Sequence, residues 1–169
     1  MTIAEQVADH HRASAGQLPA DVADAFAAEQ RELAAAGRPA VKAAPGDRMP
    51  DGSLLDVAGR PTTLAAALGS RPGVIVFYRG GWCPYCNIAL RAYQSQLVPA
   101  LAEHGIPLVA ISPQTPDGSL STQETKELTF TVLCDTGNQV ARQLDVHPDY
   151  ITRTEPGQVL QAIYQTIGA

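Results

Sequence analysis

The chain has 169 residues, 45% of them hydrophobic, enough for one compact domain with a full core. Its net charge of −5 and the lack of any basic cluster argue against nucleic acid or an anionic membrane as a partner. The apolar runs are too short to span a bilayer. Three cysteines, an odd number, suit no framework of structural disulfides. The opening MTIAEQVADHHRASAG lacks the basic-then-apolar order of a secretory leader, so the expected setting is the reducing cytoplasm.

In chain order, residues up to Ala36 read as helix. Leu18, Val22, Phe26 and Leu33 share a face, Pro19 and Asp21 suit a first turn, and Gly37 with Pro39 forms a stop. This narrow stripe is expected to lie on the main domain or on a partner. From Val41 to Pro61 the density of Pro, Gly and Asp implies loop, with a short strand within SLLDVAG. The boundary is placed after Ala44, giving a helical arm at 1–44 and a main domain at 45–169.

GVIVFY (Gly73 to Tyr78) is an unbroken apolar run between glycine-containing breaks, as expected of a strand covered on both faces. The next helix carries Leu90, Tyr93, Leu97 and Leu101 on one stripe and ends at Gly105, with a kink expected at Pro99. IPLVAI is a second buried strand. Strand, helix, strand is the order that builds a parallel sheet. A helix over 120–128, a strand over 130–133, and helices over 138–144 and 158–167 complete the reading. There are no repeats.

FYRGGWCPYC lies where the first of these strands passes into its helix. The nucleophilic form of cysteine is the thiolate, and a helix N-terminus offers free N–H groups and a partial positive charge that favour it. Cys83 sits at that terminus. Pro84 fits the first turn, where its missing N–H has no consequence. Cys86 lies one turn on, so the two sulfurs can meet. The pattern reads as an outer attacking thiol, Cys83, and a more buried resolving thiol, Cys86. Arg79 can place a cation near the thiolate, and Gly80 and Gly81 leave room for a tight bend and a substrate. Trp82, Pro84 and Tyr85 shape the surface around Cys83. The alternatives are a pair of inert buried thiols or half of a zinc site. Zinc needs two further ligands from Cys134, His10, His11, His104 or His147, and there is no second C-x-x-C or H-x-x-x-H. No metal or other cofactor is therefore expected. Cys134 reads as a small buried residue, His104 as a helix C-terminal group, and His10 and His11 as solvated.

FYRGGWCPYC, then LVAISPQTPDGSLST, then FTVLCDTGNQVARQL, resemble AhpC/TSA-type peroxiredoxin-like proteins of the thioredoxin-fold superfamily, over about residues 44–144. The resemblance implies an α/β, thioredoxin-like fold with a βαβ core, a mixed sheet and an N-terminal helical extension. It implies an antioxidant oxidoreductase in which the Cys83 thiolate attacks peroxide and the resulting sulfenic acid condenses with Cys86. The Cys83–Cys86 disulfide is then reduced by an external thiol donor of the thioredoxin type. Two departures stand out. Val76 and Gly80 occupy the places of the family's Pro and Thr, while C-P-Y-C favours thioredoxin- or glutaredoxin-like thiol–disulfide exchange. LDVHPDYITRTEP also follows at once where a cis-proline loop and a hairpin belong, an apparent internal deletion after Leu144 that shortens the C-terminal half. Pro148 is the one proline near the join. The missing hairpin leaves a sheet edge to be covered by LDV and DYIT or by a second chain, so a homo-oligomer is expected. A non-catalytic remnant serving as an assembly module is the third alternative.

Overall fold

The computed structural model describes residues 1–37, 42–69, 71–146 and 154–167. Helix α1 (Ile3–Ser14) starts at a capping box: Thr2 accepts from the Glu5 amide while the Glu5 carboxylate accepts from the Thr2 amide. The Ile3 and Ala4 amides instead donate to the Glu155 carboxylate at 2.9 Å each, tying this end to the C-terminal part of the chain. Ile3 and Val7 are buried in the core.

The expected continuous helix is broken between Ser14 and Ala20, where Gly16 turns at φ 82° and Pro19 precedes α2 (Ala20–Ala36). No residue of α2 is buried, and Phe26 remains 47% exposed. Its narrow stripe thus does not reach the core: α1 fills the docking position against the main domain.

Among the described residues the sheet runs β2-β1-β5-β4-β3, with β1 (Ser53–Asp56), β2 (Pro61–Thr63), β3 (Val74–Phe77), β4 (Leu108–Ser112) and β5 (Thr131–Cys134). β3, β4 and β5 are parallel, and β1 is antiparallel to both β2 and β5. The sheet is mixed and lies between two layers. On one face Leu108, Ala110 and Val132 pack with α1 and with α4 (Pro84–Ala92). On the other, Val109, Ile111 and Leu133 pack with α3 (Leu64–Leu68) and α7 (Gln139–Leu144). This is the period-two alternation of strands buried on both sides.

β3 departs from the expectation of full cover. All four of its residues are only half-buried, because among the described residues it pairs on one side only. LDV forms no strand. Leu144 ends α7, Asp145 turns left-handed at φ 55°, and the Val146 amide closes onto the Ala141 carbonyl at 3.0 Å. DYIT and Pro148 lie outside the described residues.

The expected kink at Pro99 takes a specific form. α4 runs through a π turn, Tyr93–Leu97, into α5 (Val98–Glu103). A proline has no N–H for the carbonyl four residues back and its ring crowds that carbonyl; one wider turn just before it relieves the clash. The remaining elements are α6 (Pro116–Thr125) and α8 (Pro156–Ile167).

Candidate active site

Cys83 is the N-cap residue of α4, in extended conformation, at the C-terminal end of β3. Its amide closes a turn onto the Gly80 carbonyl at 3.1 Å, and its own carbonyl accepts the first helical bond from Asn87 at 3.1 Å. Pro84 follows in the first turn and is exposed. Cys86, one turn on, faces the core. The expected contrast between an outer and an inner thiol is absent: Cys83 is 1% and Cys86 0% exposed. Trp82, not the thiol, is the outward group, 63% exposed. The Arg79 guanidinium lies over the indole, 4.8 Å from the ring centroid, in cation–π geometry.

The backbone before Cys83 is clamped from three sides. The Gly81 amide donates to Gln114 Oε1 at 2.6 Å, and the Gly81 carbonyl accepts from Asn87 Nδ2 at 2.7 Å. Thr122 of α6 packs so closely that a Cβ at position 81 would overlap its Oγ1. Gly80 adopts φ 147°, where a Cβ would lie 2.6 Å from Trp82 Nε1. Both glycines are therefore required by geometry. Gln114, Thr122 and Asn87 were not singled out by sequence reasoning; the first two reach the loop from a segment more than 30 residues away, and no local pattern marks such a contact.

Tyr85 draws in the N-terminal helix. The rings of His10 and His11, expected to be solvated, lie 5.6 and 5.2 Å from the Tyr85 ring, the first edge-on and the second tilted. α1 packs along α4 because Ile3 and Val7 anchor it, and this carries the histidine pair over the motif. Burial, followed by the negative charge of Cys83, pushes the Tyr85 phenol up from its ordinary pKa.

Cys134 lies at the end of β5, and its thiol donates to Ser119 Oγ at 3.2 Å. Burial pushes this thiol up, Ser119 pulls it back, and Asp56 and Asp117 push it further up. None of the three cysteines is in a disulfide in this structure. Among the described residues no three His, Cys, Asp or Glu side chains converge as a metal site would require, and no helix is long and apolar enough to cross a membrane.

Comparison with known proteins places this geometry among relatives. The family described as AhpC/TSA matches residues 45–161. The chain is similar to the solved peroxidoxin BcpB of Mycobacterium tuberculosis, with 28% identity and a TM-score of 0.55 over 60% of this chain and 65% of that one. It thus spans about two thirds of that relative's length. It is also similar to a thio-disulfide isomerase of Thermus thermophilus, with 28% identity and a TM-score of 0.53 over 75% of this chain and 99% of that one. No curated protein matches the chain.

Proposed function

Since the chain belongs to the AhpC/TSA family, we propose that it is a peroxiredoxin-like, thiol-dependent oxidoreductase working through Cys83 and Cys86. The observation that carries this reading is the placement of Cys83 as N-cap of α4, with Cys86 one turn further in the same buried cluster. The positive end of the α4 dipole favours the Cys83 thiolate. That thiolate attacks one peroxide oxygen, breaking the O–O bond and releasing an alkoxide or hydroxide that takes up a proton. The sulfenic acid on Cys83 then condenses with the Cys86 thiol, forming the S–S bond and expelling water. A dithiol donor returns two electrons and two protons.

A second reading, thiol–disulfide exchange, is favoured by the surface beside the site. Exposed Trp82 under Arg79 offers a flat apolar face to a protein partner, and Gly80 supplies no hydroxyl to a peroxide. The likeness to the thio-disulfide isomerase supports it too. The deciding experiment mixes reduced protein with one equivalent of hydrogen peroxide and follows Trp82 fluorescence, with Cys83→Ser as control. A rate far above that of a free thiolate supports the peroxidase. A rate like a simple thiol's rejects it and leaves exchange, to be read as reduction of a protein disulfide.

The protein works as a homo-oligomer in a reducing cytoplasm. The exposed stripe of Leu18, Phe26 and Leu33, and β3 paired on one side only among the described residues, support the assembly. A single monomer mass in light scattering at micromolar concentration would reject it.

A further inference from the structure

Tyr78 follows the last residue of β3, and its amide donates to the Ile111 carbonyl at 2.9 Å, continuing the ladder by one step. Register then puts three side chains in one row across the ends of the parallel strands. Phe77 pairs with Ile111 and Ser112 with Cys134, so Tyr78, Ser112 and Cys134 stand side by side. Alternation places the row on the face of Ala110 and Val132, the face that α4 covers. Ser119 of α6 adds a fourth group through its bond with Cys134. All four are buried, and Tyr78 belongs to the same buried cluster as Cys83 and Cys86. A band of O–H and S–H groups thus crosses the strand ends on the α4 side of the sheet, with Tyr78 its member in the cluster of the two thiols.

One of these groups is out of place. Tyr78 is 7% exposed, its hydroxyl is fully buried, and that hydroxyl has no hydrogen-bond partner among the described residues. Ser112 and Ser119 lie near enough to favour its ionised form, but neither meets it in bonding geometry. A phenylalanine would fill the same space without stranding a polar group, and buried hydroxyls are rarely left unpaired. A hydroxyl that the resting fold does not use points to a partner whose demand appears during turnover.

The proposed chemistry creates such a partner. When a donor thiolate attacks Cys83 Sγ of the Cys83–Cys86 disulfide, a new S–S bond forms to the donor. The old bond breaks with its electron pair on Cys86 Sγ. Cys86 becomes an anion in an apolar layer, where a charge without a hydrogen-bond donor is strongly disfavoured.

Resting on the dithiol reading above, we propose that the Tyr78 hydroxyl is the donor that stabilises the departing Cys86 thiolate. The phenol is suited to remain protonated at that moment. Burial holds its pKa up, and negative charge on Cys134 or Cys86 pushes it further in the same direction. Tyr78, unlike Cys134, packs in the same buried cluster as Cys86, and the Cys134 thiol already donates to Ser119.

The test compares wild type with Tyr78→Phe. Each protein is oxidised, its free thiols are counted, and its reduction by excess dithiothreitol is followed by Trp82 fluorescence. Oxidised wild type is expected to retain one thiol, and Tyr78→Phe to form the same disulfide but lose it severalfold more slowly. In a second measurement, made in a Cys83→Ser, Cys134→Ala background, thiolate absorbance at 240 nm reports Cys86 directly. Adding Tyr78→Phe should leave about tenfold less thiolate at a given pH. Equal reduction rates and equal ionisation overturn the inference alone. A wild type that keeps all three thiols after oxidation overturns the dithiol reading and this inference with it. Tyr78→Phe should melt at or above the wild-type temperature, since the hydroxyl has no partner at rest. A melt well below it would reveal a structural bond and count against the proposal.

Discussion

Around Cys83 the decisive contacts are backbone contacts. Gly81 has its amide held by Gln114, its carbonyl by Asn87, and its missing Cβ replaced by Thr122. Gly81→Ala is therefore expected to lower stability by about 1–3 kcal/mol, the usual range for forced overpacking, and to slow the reaction of Cys83. Adding Thr122→Ala should restore only part of the loss, because Thr122 Cβ still lies 3.1 Å from the new methyl. Urea melts of the two single variants and the double variant measure this coupling; strictly additive effects would remove the clash as the cause. The motif Gly-Gly-Trp-Cys-Pro-Tyr-Cys announces a tight, redox-capable turn by its composition. The equal burial of Cys83 and Cys86 was not legible there. Burial depends on what packs over the turn from distant parts of the chain, such as Ile3 and Val7 in the shared cluster, and no spacing rule encodes that arrangement.

Among the elements, α1 differs most from its sequence reading. It supplies Ile3 and Val7 to the core and sets His10 and His11 against Tyr85. Its start relies on Glu155, a carboxylate far along the chain that satisfies two helix-end amides. Glu155→Ala should cost about 1 kcal/mol, the usual worth of a lost cap, read as a lower urea midpoint with an unchanged slope. It should also speed amide exchange in the first turn of α1. An unchanged midpoint would mean that the Thr2–Glu5 box suffices. The strands, by contrast, were legible from their apolar runs: IPLVAI covers all of β4 but its last residue, Ser112, and SLLDVAG contains β1. β2 and α3 escaped because Pro61–Thr63 reads as turn and LAAAL is too short to show a period. α6 begins before the residues first read as helix because Pro116 opens it.

For the molecule as a whole, the titrating groups confine stability to a window. On Asp51, burial raises the carboxyl pKa, but hydrogen bonds from the Gly52, Ala65 and Leu64 amides and from Thr63 outweigh it, so the pKa is lowered. The Arg60 amide leads the same effect on Asp56. A carboxylate with a folded-state pKa below its unfolded value stabilises the fold above the unfolded value and loses that contribution as pH falls through the folded one. Cys134 and Tyr78 act at the other end. Burial raises both, so folding favours their protonated forms, and stability falls as pH climbs past the unfolded thiol value, about 8.5. Urea melts from pH 3 to 10 should show a plateau at about pH 5–8 with losses on both sides; a monotonic profile would contradict the assignment. Local pattern alone determined the parallel strand–helix–strand core, the dithiol at its switch point and the chemistry open to it, because hydrophobic period and turn residues act between near neighbours. Tertiary structure alone decided that β3 pairs on one side among the described residues, that α1 rather than α2 closes the core, and that Gln114 and Thr122 clamp the Gly80–Gly81 turn while Tyr78 shares the buried cluster of the two thiols. Those outcomes turn on strand order and register, which bring distant residues together through packing that no short stretch of sequence contains.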